Sequence, residues 1–192
     1  MDTLKQQRRR ASMPLMWLGI GSIIMAFAGL TSGYVVSRTS LVQAGQWLTF
    51  ELPVAFRYST LIIVLSSLTF YWAKKSIAND QVQMGWKLLA LTALLGTLFI
   101  VFQVSGWEEL INENIYFAGA GSNPAGSWVY AISLFHIAHV AGGIIALLVV
   151  TIKAITGYYS SENSHGVKLM GMYWHFVDLL WLYLYAFLSV IR

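Results

Sequence analysis

Four ionisable side chains interrupt the two most apolar stretches in the second half of this chain: His136 and His139 in LFHIAHV, and His175 and Asp178 in YWHFVDLLW. Two kinds of chemistry fit such groups. One imidazole on each of two helices can hold a b-type haem, provided both ligands reach the macrocycle at similar depth. A carboxylate facing an imidazole can instead make an interhelical hydrogen bond. His165 differs from these, because it sits in the polar run SSENSHG, where a solvated histidine is the default reading. No GxSxG, HExxH or Gly-rich phosphate loop occurs in the sequence, so a hydrolase, zinc-protease or nucleotide site has no motif to rest on.

The cost of these groups depends on the solvent around them. Hydrophobic residues make up 57% of the 192 positions, charged residues 10%, and the mean hydropathy is +0.64. Soluble domains are about one quarter charged. The chain therefore reads as one integral membrane domain, all-α, with no linker dividing it. Cysteine is absent, which excludes disulfides, thiolate metal sites and covalent CxxCH haem attachment. The net charge of +4 does not indicate nucleic acid, because Lys5, Arg8, Arg9 and Arg10 cluster directly before an apolar run, as topology signals do. That run lacks a small-residue cleavage site and is expected to stay as a helix rather than leave as a signal peptide.

A spanning helix needs about 20 mostly apolar residues. Five stretches qualify, 15–36, 53–73, 88–104, 128–152 and 172–191, preceded by a basic segment 1–13. Pro53 suits a first helical position, and Arg57 one turn later can snorkel to the headgroups. Lys5, Arg8, Arg9, Arg10, Lys74, Lys75, Lys87, Lys153 and Lys168 fall on one side of this arrangement, and only Arg38, Arg57 and Arg192 on the other. By the positive-inside bias the N-terminus is cytoplasmic and the C-terminus external. Gly29 with Gly33, and Ala138 with Gly142, have the four-residue spacing that lets helix backbones approach closely.

With helices placed, depths follow at about 1.5 Å per residue. His136 lies roughly 12 Å and His139 roughly 16 Å from the external surface, Asp178 about 20 Å and His175 about 24 Å. The nearest cross-helix histidine pair is thus offset by about 8 Å, which disfavours a shared haem. Asp178 and His139 differ by only about 4 Å, so a structural carboxylate–imidazole contact is expected there.

The residues also carry a resemblance. YWHFVDLLWLYLY, 173–185, resembles the last-helix signature of subunit III of haem–copper terminal oxidases, with Trp174, Phe176 and Trp181 at signature positions. FHIAHVAGG, 135–143, resembles that family's Phe-His-x-x-His-Val segment. STLIIVLSSLTF and LLGTLFIVFQ, which ends at Gln103, are weaker collinear matches. The chain is similar to the five-helix bacterial form. It departs from the pattern at about Ile23, where many members carry an intramembrane glutamate, and at Gly106, where another often follows. The resemblance implies an accessory, cofactor-free subunit of a proton-pumping oxidase in the bacterial plasma (inner) membrane, with no active site of its own. Haem and copper would reside in partner subunits. The implied partners are subunit I laterally, subunit II, a small subunit IV, membrane phospholipid and a respiratory supercomplex. His136, His139, His175 and Asp178 would then be structural polar contacts. The rival readings are a haem b or quinone-interacting anchor of another respiratory complex, and a small-solute channel or carrier.

Overall fold

The computed structural model describes residues 2–119 and 121–191. It is all-helical among the described residues: α1 Asp2–Gln43, α2 Val54–Ala78, α3 Val82–Asn112, α4 Pro124–Ile155 and α5 His165–Val190. All five are long and apolar enough to cross a membrane. Each outruns the span expected for it, because hydropathy marks the hydrocarbon-buried part while the backbone ladder continues into the polar zone. The basic segment 1–13 shows this most clearly. Its residues 2–13 are the first part of the continuous 42-residue α1, whose apolar span begins at Ala11. The side chains of Lys5, Arg8, Arg9 and Arg10, and all of Arg192, lie outside the described residues.

The helix stops share one device. Gly45, Asp80, Asn114 and Gly157 follow the ends of α1 to α4 with φ of +68°, +57°, +62° and +73°. In each case the next amide bonds a carbonyl five residues back, from Gln46 to Leu41, Gln81 to Ser76, Ile115 to Leu110 and Tyr158 to Lys153, at 2.9–3.0 Å. These are Schellman caps, which satisfy carbonyls that a helix end leaves unpaired. The starts differ from one another. Asn123 caps α4 by accepting the Ala125 amide at 2.9 Å, with Pro124 at the first helical position. Pro53 is the cap residue of α2 rather than its first helical residue, and its side chain cannot serve the free amides. Glu109, near the end of α3, serves them instead: its carboxylate accepts Val54 N–H at 2.7 Å and Ala55 N–H at 3.2 Å. A negative charge at a helix N-terminus also suits the helix dipole.

Helices α2 to α5 pack as an up–down bundle, and α1 lies outside it in the furrow between α4 and α5. The connections 79–81 and 156–164 share one end of the bundle, tied by Asp80 Oδ1 accepting Ser161 N–H at 2.7 Å. At the same end Ser12 on α1 bonds His165 Nε2 at 2.7 Å. At the opposite end Tyr34 on α1 donates to the Ile191 carbonyl at 3.0 Å.

The bundle is held by aromatic rings seated over glycines. A Cβ on Gly96 would lie 2.8 Å from the Trp174 ring, and one on Gly143 would lie 3.2 Å from that same ring. Gly171 receives Phe70 and Gly33 receives Trp128 in the same manner, at 2.8 and 2.7 Å. This corrects the spacing-based expectation. Gly29 and Gly142 have no packing neighbour within 4 Å, and Ala138 is exposed. Only Gly33 of the proposed small-residue pairs is used, and it admits an indole rather than a neighbouring backbone.

Candidate functional site

The last helix presents three polar side chains to α2, which runs antiparallel to it. Trp174 Nε1 donates to Ser66 Oγ at 3.1 Å and Trp181 Nε1 to Thr60 Oγ1 at 2.9 Å, while His175 Nδ1 pairs with Ser67 Oγ at 2.7 Å. Ser59, Thr60, Ser66 and Ser67 form this hydroxyl stripe. Trp174 and Trp181 are seven apart, as are Ser59 with Ser66 and Thr60 with Ser67, the repeat that keeps one seam facing its neighbour in left-handed helix packing. The sequence reading gave the stripe no role. Its signal was the doubled hydroxyl pair at heptad spacing in STLIIVLSS.

Around Trp181 the core closes with rings. Its centroid lies 5.1 Å from His136, 5.3 Å from Phe99 and 5.7 Å from Phe56. His136 is fully buried among Trp181, Phe99 and Phe27, and neither ring nitrogen has a hydrogen-bond partner. It packs as an aromatic ring. Gln103 on α3 donates to Ser59 Oγ at 2.8 Å and leaves its own oxygen unbonded. Elsewhere on α3, Thr92 pairs with Thr69 of α2 at 2.8 Å and Trp107 Nε1 donates to Ser133 of α4 at 2.9 Å.

The expected contact between Asp178 and His139 is not made. His139 turns toward α1, edge-on to Phe27 at 5.6 Å, and its Nδ1 bonds the Phe135 carbonyl of its own helix at 2.7 Å. Its link to α5 runs through its main chain, where the carbonyl accepts the Tyr173 hydroxyl at 3.0 Å. Asp178 is 4% exposed. Ser67 lies near it, but the bond that Ser67 makes is to His175, and neither carboxyl oxygen has a partner of bonding geometry. Depth along a helix leaves open the rotation of the helix about its own axis. That rotation sends His139 and Asp178 to different seams. His136 and His139 both stand edge-on to Phe27 of α1, whereas His175 faces Ser67 and Phe70 of α2. Among the described residues no group of three or more His, Asp or Glu side chains could share a metal ion.

Phe176, the remaining signature position, is half-buried, packing against the large apolar cluster and lining the α1–α5 furrow. Ile23, apolar where the resemblance implies a carboxylate, packs against the large apolar cluster. Gly106 sits tightly against the Phe56 ring, so any side chain there would displace that ring.

Comparison with known proteins gives a consistent result. The family model of cytochrome c oxidase subunit III matches residues 24–191. Cytochrome c oxidase subunit 3 of Corynebacterium diphtheriae is 27% identical over 88% of this chain and 82% of its own length. Cytochrome c oxidase subunit 3 of Cyprinus carpio is 32% identical over 71% of this chain and 49% of its own length, and that of Papio hamadryas is 32% identical over 66% and 46%. The chain thus spans about half the length of these two animal relatives.

Proposed function

The chain belongs to the cytochrome c oxidase subunit III family, and from that premise we propose that it is the accessory subunit of a proton-pumping haem–copper oxidase. In this reading oxygen reduction takes place in a neighbouring subunit I, which holds haem and copper, and electrons arrive through subunit II. This chain carries no redox group. It packs against subunit I within the bilayer and supports proton uptake during turnover. Subunit IV and a respiratory supercomplex remain further partners in the proposal, as does bound phospholipid.

One observation supports the scaffold role above others. Three polar groups of the signature helix α5 are committed to its own chain: Trp174, His175 and Trp181 are bonded to three hydroxyls of α2. Residues held in this way fix the angle between two helices and so shape an outer surface for a partner. Orientation is part of the same proposal, with the N-terminus cytoplasmic. It is supported by the bias of Lys and Arg toward the end that carries the 79–81 and 156–164 connections. A bacterial plasma membrane is supported by the Corynebacterium relative.

The test is co-purification in mild detergent. The chain should travel with a complex showing haem absorption, and the separated polypeptide should carry neither a Soret band nor stoichiometric metal. A Soret band that follows this polypeptide after separation overturns the reading in favour of a haem-bearing anchor. Single cysteines placed at 79–81 and at 116–118 should label from opposite faces of intact cells, the second from outside. Labelling of both from outside rejects the orientation.

A further inference from the structure

We propose that Asp178, Ser67 and His175 form a proton relay inside the bilayer. Asp178 stores a proton and exchanges it, through the Ser67 hydroxyl and the His175 imidazole, with water in the hollow that carries Lys74 and Lys168. The exchange itself needs only that the chain spans a bilayer. Its use, proton supply beside an oxidase, rests on the reading above.

Asp178 is 4% exposed, and neither carboxyl oxygen has a bonded partner. A carboxylate buried without a partner costs far more than the neutral acid, so the group keeps its proton. The helices around it bring no opposite charge to this depth. Helix α1 has no charged residue between Arg10 and Arg38, α2 none between Arg57 and Lys74, and α3 none between Lys87 and Glu108. Helix α4 offers His136 and His139, which stand against Phe27, and α5 itself adds only His175 between Lys168 and Arg192. Ser67 lies beside the carboxyl and is bonded to His175 Nδ1 at 2.7 Å. A hydroxyl can accept one hydrogen bond while donating another, so Ser67 joins the acid to the imidazole.

The outlet is built on the same two helices. His175 lines a hollow of about 500 Å³ that also carries Lys74 and Lys168 and is bordered on the α1 side by Met13, Trp17 and Ile20. No acidic side chain lines it among the described residues. With Nδ1 given to Ser67, Nε2 is the nitrogen left for the hollow. Lys74 stands seven residues from Ser67 on α2, and Lys168 seven residues from His175 on α5. Both lysines are exposed, so about 10 Å of helix separates the relay from the solvated end on either side. The transfer balances without a co-reactant. The Asp178 O–H bond breaks as a new O–H forms on Ser67, and the original Ser67 proton joins His175 Nδ1. A carboxylate and an imidazolium result, neutral together. An imidazolium carries hydrogen on both nitrogens. A turn of the ring about χ2 therefore releases the hydrogen that came from Ser67 to water in the hollow, and the reverse path returns another.

The experiment is infrared spectroscopy of the full chain, purified in detergent and moved from light to heavy water at neutral pD. The spectrum should contain the carbonyl band of a protonated carboxyl that Asp178→Asn removes, and deuteration should shift that band with time. Ser67→Ala and His175→Phe should each slow the shift about a hundredfold, the lower end of what a positioned proton donor or acceptor contributes. Ser67→Thr keeps the hydroxyl and should exchange as the unaltered chain does. Ser66→Ala is the control, because that neighbouring hydroxyl serves Trp174 in the same seam, and it should leave the rate unchanged. Absence of the band, a band that survives Asp178→Asn, an undiminished rate in either Ser67→Ala or His175→Phe, slow exchange in Ser67→Thr, or equal slowing by Ser66→Ala would each overturn the proposal. None of these outcomes bears on whether the chain co-purifies with haem, so the two readings fail separately.

Discussion

Replacing Gly96 by alanine should destabilise the bundle, while the same change at Gly142 should not. A Cβ at Gly96 would stand 2.8 Å from Cη2 and 3.0 Å from Cζ2 of Trp174. Carbon atoms rest at about 3.5–4.0 Å, so the ring must move by several tenths of an ångström or more. It has little freedom to do so. Trp174 is 1% exposed and its Nε1 is held by Ser66 at 3.1 Å. Such overpacking costs about 1–3 kcal/mol. The helix-propensity gain of Gly→Ala, about 1 kcal/mol, is common to both positions. The difference between Gly96→Ala and Gly142→Ala therefore isolates the clash and should be about 1–3 kcal/mol. Trp174→Phe placed beside Gly96→Ala should recover part of the loss, giving a coupling of about 0.5–3 kcal/mol in a double-mutant cycle. Reversible unfolding of the purified chain in mixed micelles, followed by circular dichroism, measures the wild type and all four variants. Equal stability of the two alanine variants, or a cycle that is simply additive, refutes the notched packing.

Other consequences are more local. Glu109→Ala removes the carboxylate that accepts the first amides of α2 and should cost about 0.5–2 kcal/mol in the same unfolding assay, with Glu109→Gln milder. Asp178→Asn should leave stability nearly unchanged, because neither carboxyl oxygen has a bond to lose; if stability and assembly persist while oxygen turnover collapses, the carboxyl serves the reaction and not the fold. The Ser161 N–H holds the Asp80 carboxyl below its ordinary value of 3.8. Because the folded-state value is the lower one, the tie between the 79–81 and 156–164 connections is at full strength above pH 3.8 and is lost as pH falls through that lower value. Hydrogen exchange at Ser161, corrected for intrinsic rate, should accordingly show constant protection from pH 5 to 8, and Asp80→Ala should abolish it throughout.

Hydropathy read along the sequence determined that this is a multi-pass membrane protein with five helices long and apolar enough to cross a bilayer, because hydropathy is a sum over neighbouring residues and needs no fold. The signature residues of the last helix were legible for the same reason, being contiguous. Pairing was not. His139 and Asp178 lie near the same depth, yet they occupy different seams, since about 100° of rotation per residue separates what a linear depth scale treats as adjacent. Gly29 and Gly142 have the spacing of packing glycines and pack against nothing, whereas Gly96, Gly143 and Gly171 receive the indole and phenyl rings. The cap of α2 arrives from Glu109, 55 residues downstream of Val54, and the hollow beside Phe176 draws its lining from α1, α2 and α5. Each of these depends on how one helix is turned against another. That angle is set by the fit of side-chain volumes across the interface, which exists only once the helices have packed.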